Sequence, residues 1–142
     1  MSKDIPFDEL GIGDTFGPVD ILADAQTVKR YCDEMKDRNP IYLKASPFGE
    51  PVVPPMFSAA LLAQRVIGTR YDAHATVPTK LIQKNINPAK VGKRLILTGK
   101  LIDKYIKRGL EYAVIESSIV DEDGTEIRWV TDHLLLSLER RP

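Results

Sequence analysis

The chain has 142 residues, 43% hydrophobic and 28% charged, which suits one globular domain over residues 1–142 with a single core. Its 20 basic residues balance 20 acidic ones and never cluster beyond three, so the electrostatic footprint of a nucleic-acid or anionic-membrane binder is missing. One cysteine, Cys32, and two distant histidines, His74 and His133, exclude an intrachain disulfide and argue against a metal site.

The opening "MSKDIPFDEL" carries acids from its fourth residue, and no stretch approaches the ~18 apolar residues of a membrane span, so a cytoplasmic protein is expected. "ELGIGDTFGPVDIL" (9–22), with three glycines and a proline before an apolar end, predicts a turn-rich lead-in to a short edge strand. A helix follows. Asp24 suits its N-cap, Val28, Tyr31, Cys32 and Met35 recur at helical spacing, and it must end before Pro40, because the residue preceding a proline avoids the α region. A second helix opens at Pro55 and runs through "MFSAALLAQRVIG" to Gly68. It is apolar nearly all round, which predicts burial.

From residue 78 the period changes to two. "TKLIQKNI", "KRLILTGKLIDKY", "LEYAVIESSIV" and "TEIRWVTDHLLLSLE" read as strands, and Asp121-Glu-Asp-Gly124 is a hairpin signal. The simplest packing is an α+β fold in which a curved antiparallel sheet wraps around the long apolar helix. One helix cannot cover such a sheet and close its edges, so a symmetric dimer is expected.

Between the helices lies "DRNPIYLKASPFGEPVVPPMF" (37–57), rich in proline and polar groups. Its "NPIY" and "VPPMF" stretches, together with "NPAKVGKRLILTGKLID" and the later "YIKRG", resemble the MaoC-like hydratase and dehydratase family of hot-dog folds, in particular the FAS1-like dehydratase N-terminal type. The resemblance runs from about residue 5 to the C-terminus. It implies an acyl thioester as ligand, carried on coenzyme A or acyl carrier protein with no other cofactor, and addition or loss of water across its α,β bond.

Active relatives of this family carry Asp-x-Asn-Pro-x-His, whose Asp and His act as acid and base on a shared water, and a backbone N–H at the helix start that polarises the thioester oxygen. The matching catalytic positions here are Asp37, Asn39 and Tyr42, and the matching substrate-binding positions are Pro54, Pro55, Met56 and Phe57. Two of them depart from the pattern. Tyr42 stands in place of the histidine, and a phenol titrating near pH 10 exchanges protons poorly at neutral pH. Pro55 stands in place of the glycine whose amide would meet the enolate oxygen, and proline has no N–H.

The resemblance thereby implies a non-catalytic, acyl-binding half of a heterodimer or heterotetramer, completed by a hot-dog subunit with the full Asp-x-Asn-Pro-x-His. Two other readings stay open: a self-sufficient homo-oligomeric hydratase using Asp37 with Tyr42, and an acyl-coenzyme A binding module without chemistry. A thioesterase ranks below these, because residues 55–68 contain no acid. Read without the family, Asp37 to Pro40 is a helix exit and turn in which Asp and Asn bond their own backbone. His74 reads as a solvated loop residue and His133 as a satisfied sheet residue. Lys100 and Lys104 are candidates for the coenzyme A phosphates.

Overall fold

A computed structural model describes residues 3–142. Five strands form one antiparallel sheet: β2 (Thr15–Leu22), β4 (Val77–Asn85), β5 (Arg94–Lys107), β6 (Leu110–Asp121) and β7 (Glu126–Leu135). Their order is β2-β5-β6-β7-β4. The short β1 (Lys3–Asp4) and β3 (Tyr71–Asp72) pair in parallel beside it. The last three strands are successive hairpins. At the β6–β7 turn Asp121 Oδ1 accepts from the N–H groups of Asp123 and Thr125, and Gly124 takes φ 82°, as the turn chemistry predicts. β4 crosses over to pair with β7 instead of its sequence neighbour β5, which leaves β2 and β4 as the two edges.

Alternation along the strands fixes one apolar face. Leu95, Leu97 and Leu101 of β5, Ala113, Ile115 and Ile119 of β6, and Val130 and Leu134 of β7 are buried in one cluster. Each such side chain contributes about 1.5–3 kcal/mol on burial. Helix α1 (Ala25–Met35) adds Val28 and Cys32 to that core. Asp24 caps it, accepting the Thr27 N–H at 2.7 Å, and Lys36 ends it in the left-handed conformation.

The single helix expected over 55–68 is two. α3 (Pro55–Ala59) and α4 (Leu62–Ile67) are separated by an extended Ala60 and a left-handed Leu61 at φ 55°. A segment apolar on every side has no polar stripe to fix one helix axis, and the break lets the two halves serve different surfaces. Leu62, Ala63, Val66 and Ile67 are fully enclosed, and α4 packs on β2, β5 and β6. In α3, Met56 is 51% exposed and only Ser58 is buried, and Leu61 at the break is 65% exposed, so the apolar burial expected of the whole segment holds for its second half.

Left-handed backbone costs a branched L-residue about 1–2 kcal/mol. Leu61→Gly is expected to raise stability by about 0.5–1 kcal/mol, since the exposed side chain gives up little packing. In an unbroken helix the same change lowers stability by about 1 kcal/mol, so denaturant unfolding of this variant decides between the two conformations by the sign of its effect.

With α4 on β2, β5 and β6, the inward residues of β7 are buried, and β4 at the edge is left open. Every residue of β4 is exposed, Leu81 and Ile82 among them. Among the described residues no helix is long and apolar enough to cross a membrane.

Candidate functional site

Ile41, Tyr42 and the run Val52 to Pro55 form one wall of a cavity of about 330 Å³ whose other wall is the exit of β4 with Ile119, Ile127 and Arg128 of β6 and β7. Local chemistry shapes the wall. Asp37 Oδ1 accepts the Asn39 N–H at 3.2 Å, and Asn39 Oδ1 accepts the Ile41 N–H at 3.2 Å, capping the short helix α2 (Pro40–Leu43). Both side chains therefore serve the backbone turn, and both are exposed. The segment Pro51–Val53 is pinned on either side: Val52 N–H donates to Ile41 O at 2.8 Å, Val53 N–H to Ala89 O at 2.7 Å, and Val91 N–H to Pro51 O at 3.0 Å. On the opposite wall, Ile86 N–H and the Asn87 side-chain amide donate to Ile127 O and Glu126 O, both at 2.9 Å, tying the exit of β4 to β7.

Of the expected site residues, the fold brings Tyr42, Pro54 and Pro55 to the cavity together, with Ser58 beside them. Asp37, Asn39, Met56 and Phe57 do not line it. Phe57 instead meets Tyr31 edge to face, with centroids 5.6 Å apart, and belongs to the packing between α3 and α1. Tyr42 is half-buried. Burial first, and then the negative charge of Asp37, hold its phenol above the ordinary tyrosine pKa. At neutral pH it is a neutral hydrogen-bond donor or acceptor, not a base. Neither Pro54 nor Pro55 offers an N–H at the start of α3.

The histidines do not supply the missing base here. His133 Nδ1 shares a hydrogen bond with Tyr105 Oη at 3.0 Å, with Tyr105 stacked on Tyr112, and His74 pairs with Asp72 at 2.7 Å. Neither histidine lines this cavity. Lys104 donates to Phe7 O at 2.8 Å and sits over the Phe7 ring, which commits it to the core rim, while Lys100 is exposed. Among the described residues no group of three or more His, Cys, Asp or Glu could hold a metal ion.

One cavity residue escapes the sequence reading. Arg128 of β7 lines the cavity, is only 6% exposed, and makes one hydrogen bond, from Nη1 to Gln83 Oε1 at 3.3 Å. No ion pair forms with it among the described residues, and burial alone lowers its pKa, with no acid opposing the shift. The signal was present: Arg128 shares strand parity with Val130 and Leu134 of the core, so alternation turns a cation inward. Continuous apolar residues at Leu134, Leu135 and Leu136 blur that parity in the sequence.

Asp132, two pairs along the same face, is 4% exposed, and its Oδ1 has no hydrogen-bond partner. Burial raises its pKa. A carboxyl that holds its proton more tightly folded than unfolded destabilises the fold increasingly as pH climbs from the unfolded value through the folded one. Asp132→Asn is expected to add about 1 kcal/mol at about pH 7.5. The gain should fade towards zero below about pH 4, where both side chains are neutral. Unfolding midpoints measured across that range check it, and a gain independent of pH rejects the assignment.

Solved structures share this architecture. R-hydratase PhaJ1 from Pseudomonas aeruginosa, unliganded, superimposes with TM-score 0.80 and 20% identity, over 96% of this chain and 88% of that one. A MaoC-like dehydratase from Rhodospirillum rubrum gives 0.76 and 19%, over 95% and 97%. The HadBC complex from Mycobacterium tuberculosis, a 3R-hydroxyacyl-ACP dehydratase truncated at its C terminus, gives 0.70 and 17%, over 87% and 96%. The chain thus has the α+β hot-dog fold of (R)-hydratases and MaoC-like dehydratases, as expected. No family sequence model matches it, and no curated protein matches it by sequence.

Proposed function

We propose that this chain is the acyl-thioester-binding, non-catalytic subunit of an enoyl-thioester hydratase or 3-hydroxyacyl-thioester dehydratase. The observation that carries this is the cavity wall itself. It is mostly apolar, is bounded by Tyr42, Pro54 and Pro55, and holds neither imidazole nor carboxylate. Hydration needs a base for water and a donor for the enolate oxygen, and the residues at the corresponding positions can supply neither. What is left is a container for the acyl group.

The reading also accounts for the bare sheet edge. β4 exposes Val77, Leu81 and Ile82 along a strand edge with no neighbour, a surface that soluble chains keep covered. A second hot-dog chain carrying Asp-x-Asn-Pro-x-His would cover it and bring the acid and base. The structural likeness to HadBC, itself a complex, supports such a partnership. The self-sufficient reading is weaker, because Asp37 raises the Tyr42 pKa instead of lowering it and spends its own Oδ1 on a turn.

The test is to purify the chain alone and together with a hot-dog subunit that holds the full motif, then to measure native mass and hydration of crotonyl-coenzyme A. A mixed complex with turnover that the isolated chain lacks is the expected result. A homo-oligomer with full turnover overturns it.

A further inference from the structure

Arg128 is a cation in the wrong place for a container of plain hydrocarbon. Enclosing an ion without a counter-ion is costly, so buried guanidinium groups are normally met by a carboxylate or a phosphate. Here the cavity lining includes no Asp and no Glu. Its polar members are Tyr42, Ser58, Asn85, Asn87 and Arg128, each able to donate a hydrogen bond. Ser58 is 3% exposed, so its hydroxyl is available to something inside the cavity and not to bulk water. Among the described residues the one partner of the Arg128 side chain is the amide oxygen of Gln83, which leaves most of its five N–H donors for another acceptor.

We infer that the cavity takes an acyl group bearing a carboxylate at its far end, with Arg128 as the residue that receives that carboxylate. This rests on the acyl-thioester reading above and specifies its substrate class: a short dicarboxylic monothioester. Three features select a carboxylate over the phosphates of the carrier. The guanidinium is enclosed, not at the rim. It is the single basic residue among those lining the cavity, matching one negative charge and not a multiply charged group. Apolar residues such as Ile41, Val53 and Ile119 line the same cavity, suiting the methylenes between a thioester and a terminal carboxylate. A volume of about 330 Å³ lies at the small end of ligand sites, which run from about 300 to 1,000 Å³, so the acyl body is short.

Succinyl- and butyryl-coenzyme A differ only in carrying a terminal carboxylate or a methyl, which makes them the probes. Titrated into the protein followed by calorimetry, succinyl-coenzyme A is expected to bind at least about tenfold more tightly. Arg128→Gln should abolish that preference while leaving butyryl-coenzyme A binding within about twofold, and Arg128→Lys should retain part of it. Because the first comparison uses the unaltered protein, it stands even if a variant misfolds. Equal binding of the two thioesters overturns the carboxylate assignment and leaves the acyl-thioester reading intact, whereas no binding of either overturns both. Free coenzyme A binding as tightly as the succinyl form, and weakened by Arg128→Gln, assigns Arg128 to a phosphate and overturns the proposal. So does a ligand preference unmoved by Arg128→Gln while subunit association weakens, since Arg128 then meets a carboxylate of the partner subunit.

Discussion

The isolated chain is expected to hydrate crotonyl-coenzyme A at about one hundredth to one ten-thousandth of the rate of a hydratase with the complete Asp/His pair. Losing one oxyanion donor costs an acyl-transfer enzyme ~100- to 1,000-fold, and losing the general base costs ~100- to 10,000-fold. Groups that act as a unit do not lose activity independently, so the product of the two is an upper bound and the lower figures set the expectation. Tyr42 cannot stand in for the base, because burial and Asp37 both push its phenol upward. A proline pair at the start of α3 cannot stand in for the donor. In the mixed complex, Asp37→Asn and Tyr42→Phe should each leave turnover within about threefold, because each would remove at most one neutral or exposed hydrogen bond. Steady-state kinetics on the isolated chain and the complex check both halves. A drop of a hundredfold on Asp37→Asn would falsify the non-catalytic assignment.

Gly99→Val should be the most damaging single change to the fold. Gly99 is buried on β5 where α4 crosses the sheet, and a Cβ there would lie 2.5 Å from Val66 Cγ2 and 3.3 Å from Ile115 Cγ2. Valine is stiff at χ1, so Val66 cannot swing aside, and separating α4 from the sheet would expose Leu62, Ala63 and Ile67 as well. Overpacking of this kind costs about 1–3 kcal/mol for a small addition and more for a larger one. Gly99→Ala is expected to lose about 2 kcal/mol and Gly99→Val about 3 kcal/mol or more, a large part of the roughly 5–15 kcal/mol that holds a domain together. If the contact with Val66 is the cause, Val66→Ala should recover at least half of the Gly99→Ala loss, a coupling read from a double-mutant cycle. Additive losses would place the strain elsewhere.

Both predictions depend on features that the sequence reveals unequally. Local rules are legible in it: Asp24 as a cap, the turn at Asp121 to Gly124, the period of two after residue 78, and Asp37 and Asn39 bonding their own backbone. These depend on neighbours within four residues, so the sequence contains all the information they need. The absence of an imidazole at position 42 and of an amide hydrogen at position 55 is likewise settled by residue identity alone.

Tertiary structure decides the rest. Residues 59–65, Ala-Ala-Leu-Leu-Ala-Gln-Arg, are all good helix formers, yet Ala60 and Leu61 leave the helix. α4 is seated on the sheet with Val66 against Gly99, while the segment before α3 is tied to Ala89 through the Val53 N–H, so the two helices are anchored to different parts of the fold. The pairing of β4 with β7 arises from a crossover that no local propensity encodes, and it is this pairing that sets Asn85 beside Arg128 on one wall of the cavity. Whether a cation is buried, and whether anything answers its charge, depends on residues 40 to 90 positions away in the chain. Strand parity points Arg128 inward, and long-range packing decides that it meets a cavity without a counter-ion, the feature on which the proposed substrate class rests.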